Sequence, residues 1–315
     1  MERAKHTFRN GKSQAQQIAA SISAHGNSRH TAKQAGEKGL VHGLGTERGL
    51  KQSLAQYAEW LHSRRRGDLR TSTREAITDY LHERAEQVGQ SALNMDRQHL
   101  DRLQRHLHGQ DVEPLPKVRS ELETIRSTRA YTPAQLDAIR AAQTDRHALT
   151  TELAQRTGIR AHCAASIRPA AEQPRSARRQ WSDARFTGPG GLLPPGSLYT
   201  VVGKGGLVRE IWIPADLVPR LEARRLPMPE RVTDRGVHYI RAYDIGYGQS
   251  WSQSFTAASK RALGWSNGAH GARHTYVQTR VSELQEAGWS YKDARLVVSQ
   301  EVGHFRESVI DAYLR

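Results

Sequence analysis

LYTVVGKGGLVREIWIP, residues 198–214, decides the fold class. Two β-rich segments, 198–202 and 208–213, flank the tight GKGG turn and read as a β-hairpin. Downstream of Trp251 the chain reads as mainly helical, as do the segments before the hairpin. The expected class is therefore mainly α with a small β-hairpin or sheet, α+β. Residues 168–197, just before the hairpin, are polar and rich in Pro and Gly and read as an irregular surface excursion. Before them, HALTTELAQRTGIRAH, residues 147–162, reads as a helix, a turn at Thr157-Gly158 and a new helix start.

Helix signals sharpen further upstream. In YTPAQLDAIRAAQ, residues 131–143, Thr132 suits an N-cap, Pro133 the first helical position, and Gln135 completes a capping box. SLAQYAEWLHSRRR, residues 53–66, puts Leu54, Tyr57, Ala58 and Leu61 on one face. STREAITDYLHERA, residues 72–85, opens with a Ser72–Glu75 capping box and aligns Ile77, Tyr80, Leu81 and Ala85. A third helix begins near Ser91 and uses Leu93, Leu100, Leu103 and Leu107. Three amphipathic helices cannot bury their stripes separately, so they predict a small helical unit.

The resulting organisation is a basic, flexible arm over 1–45, with at most a short helix from Ala15 to Ile22, and a helical domain with its linker over 46–118. The proline-bearing GQDVEPLPKV, residues 109–118, is the linker; a further short helix is expected after it, and a second domain spans 129–315.

Of 315 residues, Lys and Arg number 47 against 32 Asp and Glu, a formal charge of +15. Such a balance points to nucleic acid, and its arginine content suits bidentate phosphate contacts. A solvated basic surface or anionic lipid are the bland alternatives. No apolar stretch approaches the roughly 20 residues that cross a bilayer, and the start MERAKHTFRNGKSQ has no apolar core behind its basic residues. A single cysteine, Cys163, rules out an intramolecular disulfide framework and a Cys-based zinc cage, so the cytoplasm is the expected compartment.

Four stretches could carry chemistry. TGIR ends in Arg160, at a helix start. Lys204 sits at the hairpin tip, where the spacing of a phosphate-binding P-loop is missing. In AHGARHTY, residues 269–276, His270 and Arg273 lie three apart, on one helical face, where they could converge on one anion; His274 is expected to point elsewhere, in packing or capping. The stretch lacks the carboxylate or Cys of a zinc motif. VGHFRESVIDAYL, residues 302–314, holds His304 and Tyr313, nine apart, with room for a turn and a short helix from near Glu307. Taken alone, each residue has a plainer reading as surface charge, turn or aromatic anchor.

Together, the order Arg, Lys, His-x-x-Arg, Gly-His, Tyr resembles the active-site series of tyrosine recombinases, the phage integrase family, most like integrases of prophages and integrative conjugative elements. The likeness covers residues 129–315, and the helical unit resembles that family's core-binding domain. It implies Tyr313 as nucleophile forming a 3′-phosphotyrosyl bond, Arg160 and Arg273 as phosphate clamps, Lys204 as acid for the leaving 5′ oxygen, and His270 and His304 as phosphate or tyrosine partners, with no cofactor and no metal. It also implies double-stranded attachment sites as partner, a clamp of the two domains around the duplex, a homotetramer on DNA, nucleoid association, and an accessory bending or directionality protein. The rivals are a nicking-closing enzyme like type IB topoisomerases and a catalytically silent DNA-binding regulator. Two departures from the family pattern stand out. Cys163 occupies the position three after the first arginine, where an acidic residue is common, so support for Arg160 or Lys204 must come from elsewhere. The sequence also ends at Arg315, and no tail is expected to dock on a neighbouring protomer.

Overall fold

The computed structural model describes residues 10–25, 27, 29–37, 39–123, 128–188 and 191–315; the side chains of Arg29, His30, Lys33 and Lys204 lie outside that description. The head of the expected arm, residues 1–9, lies outside it too. The described chain divides into two compact units between residues 125 and 126.

The first unit is helical: α1 (Gly11–Ser21), α2 (Arg29–Gln34), α3 (Leu44–Ser63), α4 (Arg74–Ala85) and α5 (Gln90–His108). Its core joins Leu50, Leu54, Tyr57 and Leu61 of α3 to Ile77 and Leu81 of α4 and Leu93, Leu100 and Leu103 of α5. The expected arm needs correction. Residues 11–24 are not a loose arm, because Ala15, Ile18, Ala19 and Ile22, at spacings of three and four, bury a stripe in this core. The linker, 109–118, packs on the same unit. Leu115 and Val118 are buried, and Arg74 donates to the carbonyls of Glu113 and Pro114 at 2.7 and 2.9 Å. The cap of α4 also shifts by one residue. Thr73 accepts from the Ala76 N–H, while the Ser72 hydroxyl is engaged by Tyr57 at 2.8 Å.

The second unit begins with α6 (Pro133–Ala141), whose Thr132–Gln135 capping box forms as expected, followed by α7 (Asp145–Thr157). A three-stranded antiparallel sheet follows in the order β1 (Arg168–Pro169), β2 (Gly196–Val202), β3 (Val208–Pro214). After α8 (Val218–Glu222) comes a second hairpin, β4 (Arg225–Asp234) and β5 (Val237–Tyr243), which the sequence reading did not contain. Pro227 and Pro229 lack ladder N–H groups and mask its first strand; they fall in the irregularity between the Arg225–Tyr243 and Glu230–Arg241 pairs. Its turn puts Arg235 and Gly236 at φ +50° and +80°, the left-handed pair that suits right-twisted strands.

Helices α9 (Gly248–Leu263), α10 (His270–Glu286) and α11 (Tyr291–Glu301) complete the unit, ending in a 3₁₀ turn, Glu307–Ala312. The mainly α, α+β class stands. One core packs α6, α7 and α9 on the sheet through Leu136, Leu149, Leu153, Val201, Ile211, Trp251 and Phe255. A second core joins Val277 and Val281 of α10 to Val297 and Val298 of α11, Ile310 and Tyr313. No described helix is long and apolar enough to cross a membrane. The expected helix after Thr157-Gly158 is a short 3₁₀ turn, Cys163–Ser166. No helix precedes α6 among the described residues of 119–132, and residues 124–127 lie outside them.

Candidate active site

Arg160 is delivered by the end of α7. Gly158 stops the helix at φ +62°, and its Cα faces the Tyr276 ring so closely that an added Cβ would sit 2.5 Å from Cδ1. His270, Arg273 and His274 all come from the first turns of α10. His304 follows Gly303, which turns at φ +78° after α11 and lies against Arg209 of β3; an added Cβ there would meet Arg209 Cδ at 2.8 Å.

These pieces converge on Tyr313. Arg273 Nε donates to the Tyr313 hydroxyl at 3.3 Å, and His304 Nε2 lies 3.2 Å from the same oxygen. Arg160 Nη2 lies 2.8 Å from that His304 nitrogen. Arginine has no acceptor, so Arg160 must donate and His304 Nε2 must carry a lone pair, with its ring proton on Nδ1. The Tyr313 O–H can then only donate to Nε2. The result is a directed chain in which Arg273 donates to the tyrosine oxygen and the tyrosine proton points at a base.

Arg273 is 1 % exposed and is held by two further bonds, to the carbonyls of Gly158 and of Val302, the latter at 2.7 Å. Burial, then the Arg160 charge, lowers its pKa to about 9. Burial and the charges of Arg273 and Arg160 also bring His304 down to about 3. Burial, then the charges of Arg273, His274, Arg160 and Arg129, takes His270 to about 3. Both imidazoles are neutral near pH 7, as an acceptor role requires.

The His270 ring lies 5.6 Å from the Tyr313 ring. His274, expected to point elsewhere, lies closer, at 4.7 Å between centroids. The correction follows from helix geometry. Residues 270 and 274 are i and i+4, which share a face as surely as i and i+3 do. Burial lowers its pKa to about 4, with the Arg129 charge adding to it and a bond to the Tyr313 backbone opposing it.

Among the buried charges that the sequence reading did not contain are Glu301 and Arg209. Glu301 is fully buried and accepts from the Phe186 N–H and the Tyr276 hydroxyl, both at 2.7 Å, and from Arg280 Nε at 3.2 Å. Arg209 donates Nη1 to the Glu301 carbonyl, while its Nε and Nη2 have no hydrogen-bond partner among the described residues. Neither position carries a local pattern that marks it. Cys163 is fully buried in its 3₁₀ turn, its N–H bonded to the Arg160 carbonyl at 2.9 Å. Burial raises its thiol, yet a bond from His162 and the charges of His162, Arg209 and Arg160 outweigh it and bring the pKa to about 6. The backbone of Lys204 opens the 3₁₀ turn Lys204–Gly206 between β2 and β3.

No protein-family model and no curated protein matches the sequence. Solved structures do match. XerH site-specific recombinase bound to difH substrate, in a pre-cleavage complex, is 12% identical, with a TM-score of 0.55 over 99% of this chain and 94% of that one. The post-cleavage XerH complex on palindromic difH is 13% identical, with a TM-score of 0.57 over the same shares, 99% and 94%. A lambda integrase dimer bound to a COC′ core site is 16% identical, with a TM-score of 0.50 over 91% and 93%. The fold is that of the tyrosine recombinases.

Proposed function

We propose that the chain is a site-specific DNA recombinase that cuts and rejoins duplex DNA through Tyr313. The observation that carries the reading is the directed hydrogen-bond chain from Arg273 to Tyr313 to His304, with Arg160 fixing the histidine's acceptor state. The fold it shares with XerH and lambda integrase supports the reading, since those proteins were solved on their DNA sites.

In this reaction Arg160 would turn its N–H from His304 Nε2 to the phosphate, and the Tyr313 oxygen bonds to the scissile phosphorus while its proton passes to the freed lone pair of His304 Nε2. The bond from phosphorus to the 5′ oxygen breaks, and that oxygen takes a proton from Lys204. The ester formed, a 3′-phosphotyrosyl bond, conserves the energy for religation to a second 5′ hydroxyl. Charge builds on the non-bridging oxygens. Arg160 and Arg273 would direct N–H donors to them, and preorganised donors of this kind supply a large share of catalysis. His270, whose ring lies 5.6 Å from that of Tyr313, would bond a phosphate oxygen. The partner is double-stranded DNA, with protomers acting on paired attachment sites as a homotetramer, in the integration or excision of a mobile element.

The test uses a library of nicked duplexes, which trap a covalent product because the cut strand loses a short 5′ fragment. The full-length protein should yield a species on a denaturing gel that protease shortens. Tyr313→Phe should bind the same duplexes and yield none. A covalent species in Tyr313→Phe would remove the tyrosine from its role, and an empty gel for the native protein would leave a DNA-binding regulator as the reading.

A further inference from the structure

Residues 173–187, the Arg- and Pro-bearing stretch between β1 and β2, are tied at one side to the lysine hairpin. Ser176 exchanges two bonds with Val208, the first residue of β3, each 3.0 Å. Arg175 and Arg185 both reach the Glu210 carboxylate of β3, at 2.8 and 2.6 Å. Arg178 Nη2 donates to the carbonyl of Gly205 at 2.9 Å, inside the turn that bears Lys204.

The other side of the same stretch is tied to the segment that ends in His304. The Ser182 and Phe186 N–H groups donate to the Gln300 and Glu301 side chains, both at 2.7 Å. Arg280 donates to the Thr187 carbonyl. Trp181 meets Phe305 edge to face at 4.7 Å, and Arg179 lies 5.2 Å over the same ring. Phe305, next to His304, is held at φ +59°, and Phe186 at φ +68°. Left-handed residues with side chains persist only where the surroundings over-determine them. Here each is fixed through the contact between the stretch and the histidine turn.

We propose that residues 173–187 are a strap that sets the lysine turn and the histidine turn at a fixed separation, with Arg178 and Trp181 as its positioning residues. The inference rests on the roles given above to Lys204 and His304. Trp181 also donates Nε1 to the Ser176 carbonyl at 3.1 Å and is covered by Arg185 at 4.6 Å, so its two anchorages are joined through one side chain. A glycine-rich turn has little of its own to hold an ammonium in place. The strap supplies that constraint from outside the hairpin.

The experiment compares cleavage of a nicked duplex with oxygen or sulfur at the bridging 5′ position, since a thiolate leaves without a proton. Arg178→Ala should slow cleavage of the oxygen substrate about tenfold, the scale of a modest misplacement of a catalytic group. Like Lys204→Ala, it should regain most of the rate with sulfur, at an unchanged salt dependence of binding. Trp181→Ala should lose rate on both substrates and Trp181→Phe should restore it. Loss for Arg178→Ala that sulfur does not relieve, or a log-affinity against log-salt slope smaller by about one, would make Arg178 a phosphate contact and overturn the strap. An unchanged rate on oxygen would overturn it too. Arg178 is exposed, so its truncation leaves the fold intact even if Trp181→Ala does not fold. A native protein with no covalent product would instead overturn the Tyr313 reading.

Discussion

Arg273 shows how much one side chain decides. Its guanidinium spans the Gly158 carbonyl behind Arg160, the Val302 carbonyl ahead of His304, and the Tyr313 hydroxyl. An ammonium also has three donors, but they diverge from a single nitrogen and cannot match the separated, coplanar positions of a guanidinium. Arg273→Lys should therefore keep the charge and lose the geometry. Single-turnover cleavage should fall by about 100-fold, the order expected for ångström-scale misplacement. A variant that cleaves within a few-fold of the native rate would mean that charge alone suffices. His270 and Arg273 share a face of α10 because His-x-x-Arg is a local pattern. His274 was misjudged although the same helix periodicity covers it, and Glu301 and Arg209 carried no pattern at all.

Among elements, the ends of helices were the most legible. Thr132, Pro133 and Gln135 cap α6 as their chemistry demands, because capping involves residues three apart in one chain segment. The end of α7 is different. Gly158 is required by its left-handed φ of +62° and also by the Tyr276 ring, a contact from α10 that no local rule contains. Gly158→Ala should thus cost more than Thr132→Ala, about 2 kcal/mol or more from strain against about 1 kcal/mol for a lost cap. Chemical denaturation of the two variants checks the ranking, and equal midpoints would show that Tyr276 yields freely. The β4–β5 hairpin escaped notice for a related reason. Prolines argue against a strand until a tertiary bulge accommodates them.

At the scale of the molecule, the site gathers neutral histidines among arginines, and that has a consequence for stability. The folded-state pKa values of His270 and His304, about 3, and of His274, about 4, lie below the ordinary 6.5. As pH falls below 6.5, the unfolded chain takes up these protons first. The stability they contribute is therefore fully present above 6.5 and is lost as pH falls toward 3. His274→Gln removes one such group. Its melting temperature should decline less steeply than that of the native protein between pH 6.5 and about 4. Parallel curves would mean that His274 titrates normally.

The sequence by itself determined the α+β class, the helices that carry periodic stripes and caps, the β2–β3 hairpin, and the order in which six chemical residues occur. Those are properties of neighbours along the chain, where spacing of two to four residues fixes which side chains share a face. Tertiary structure alone decided that Arg160 meets His304 across 144 positions, that His274 joins Tyr313, and that residues 11–24 and 109–118 pack rather than hang free. It also decided the buried partnership of Glu301 with Tyr276 and Arg280, and the path of the 173–187 strap. A buried charge is tolerated only where distant segments bring it partners, and partners that distant leave no period in the sequence.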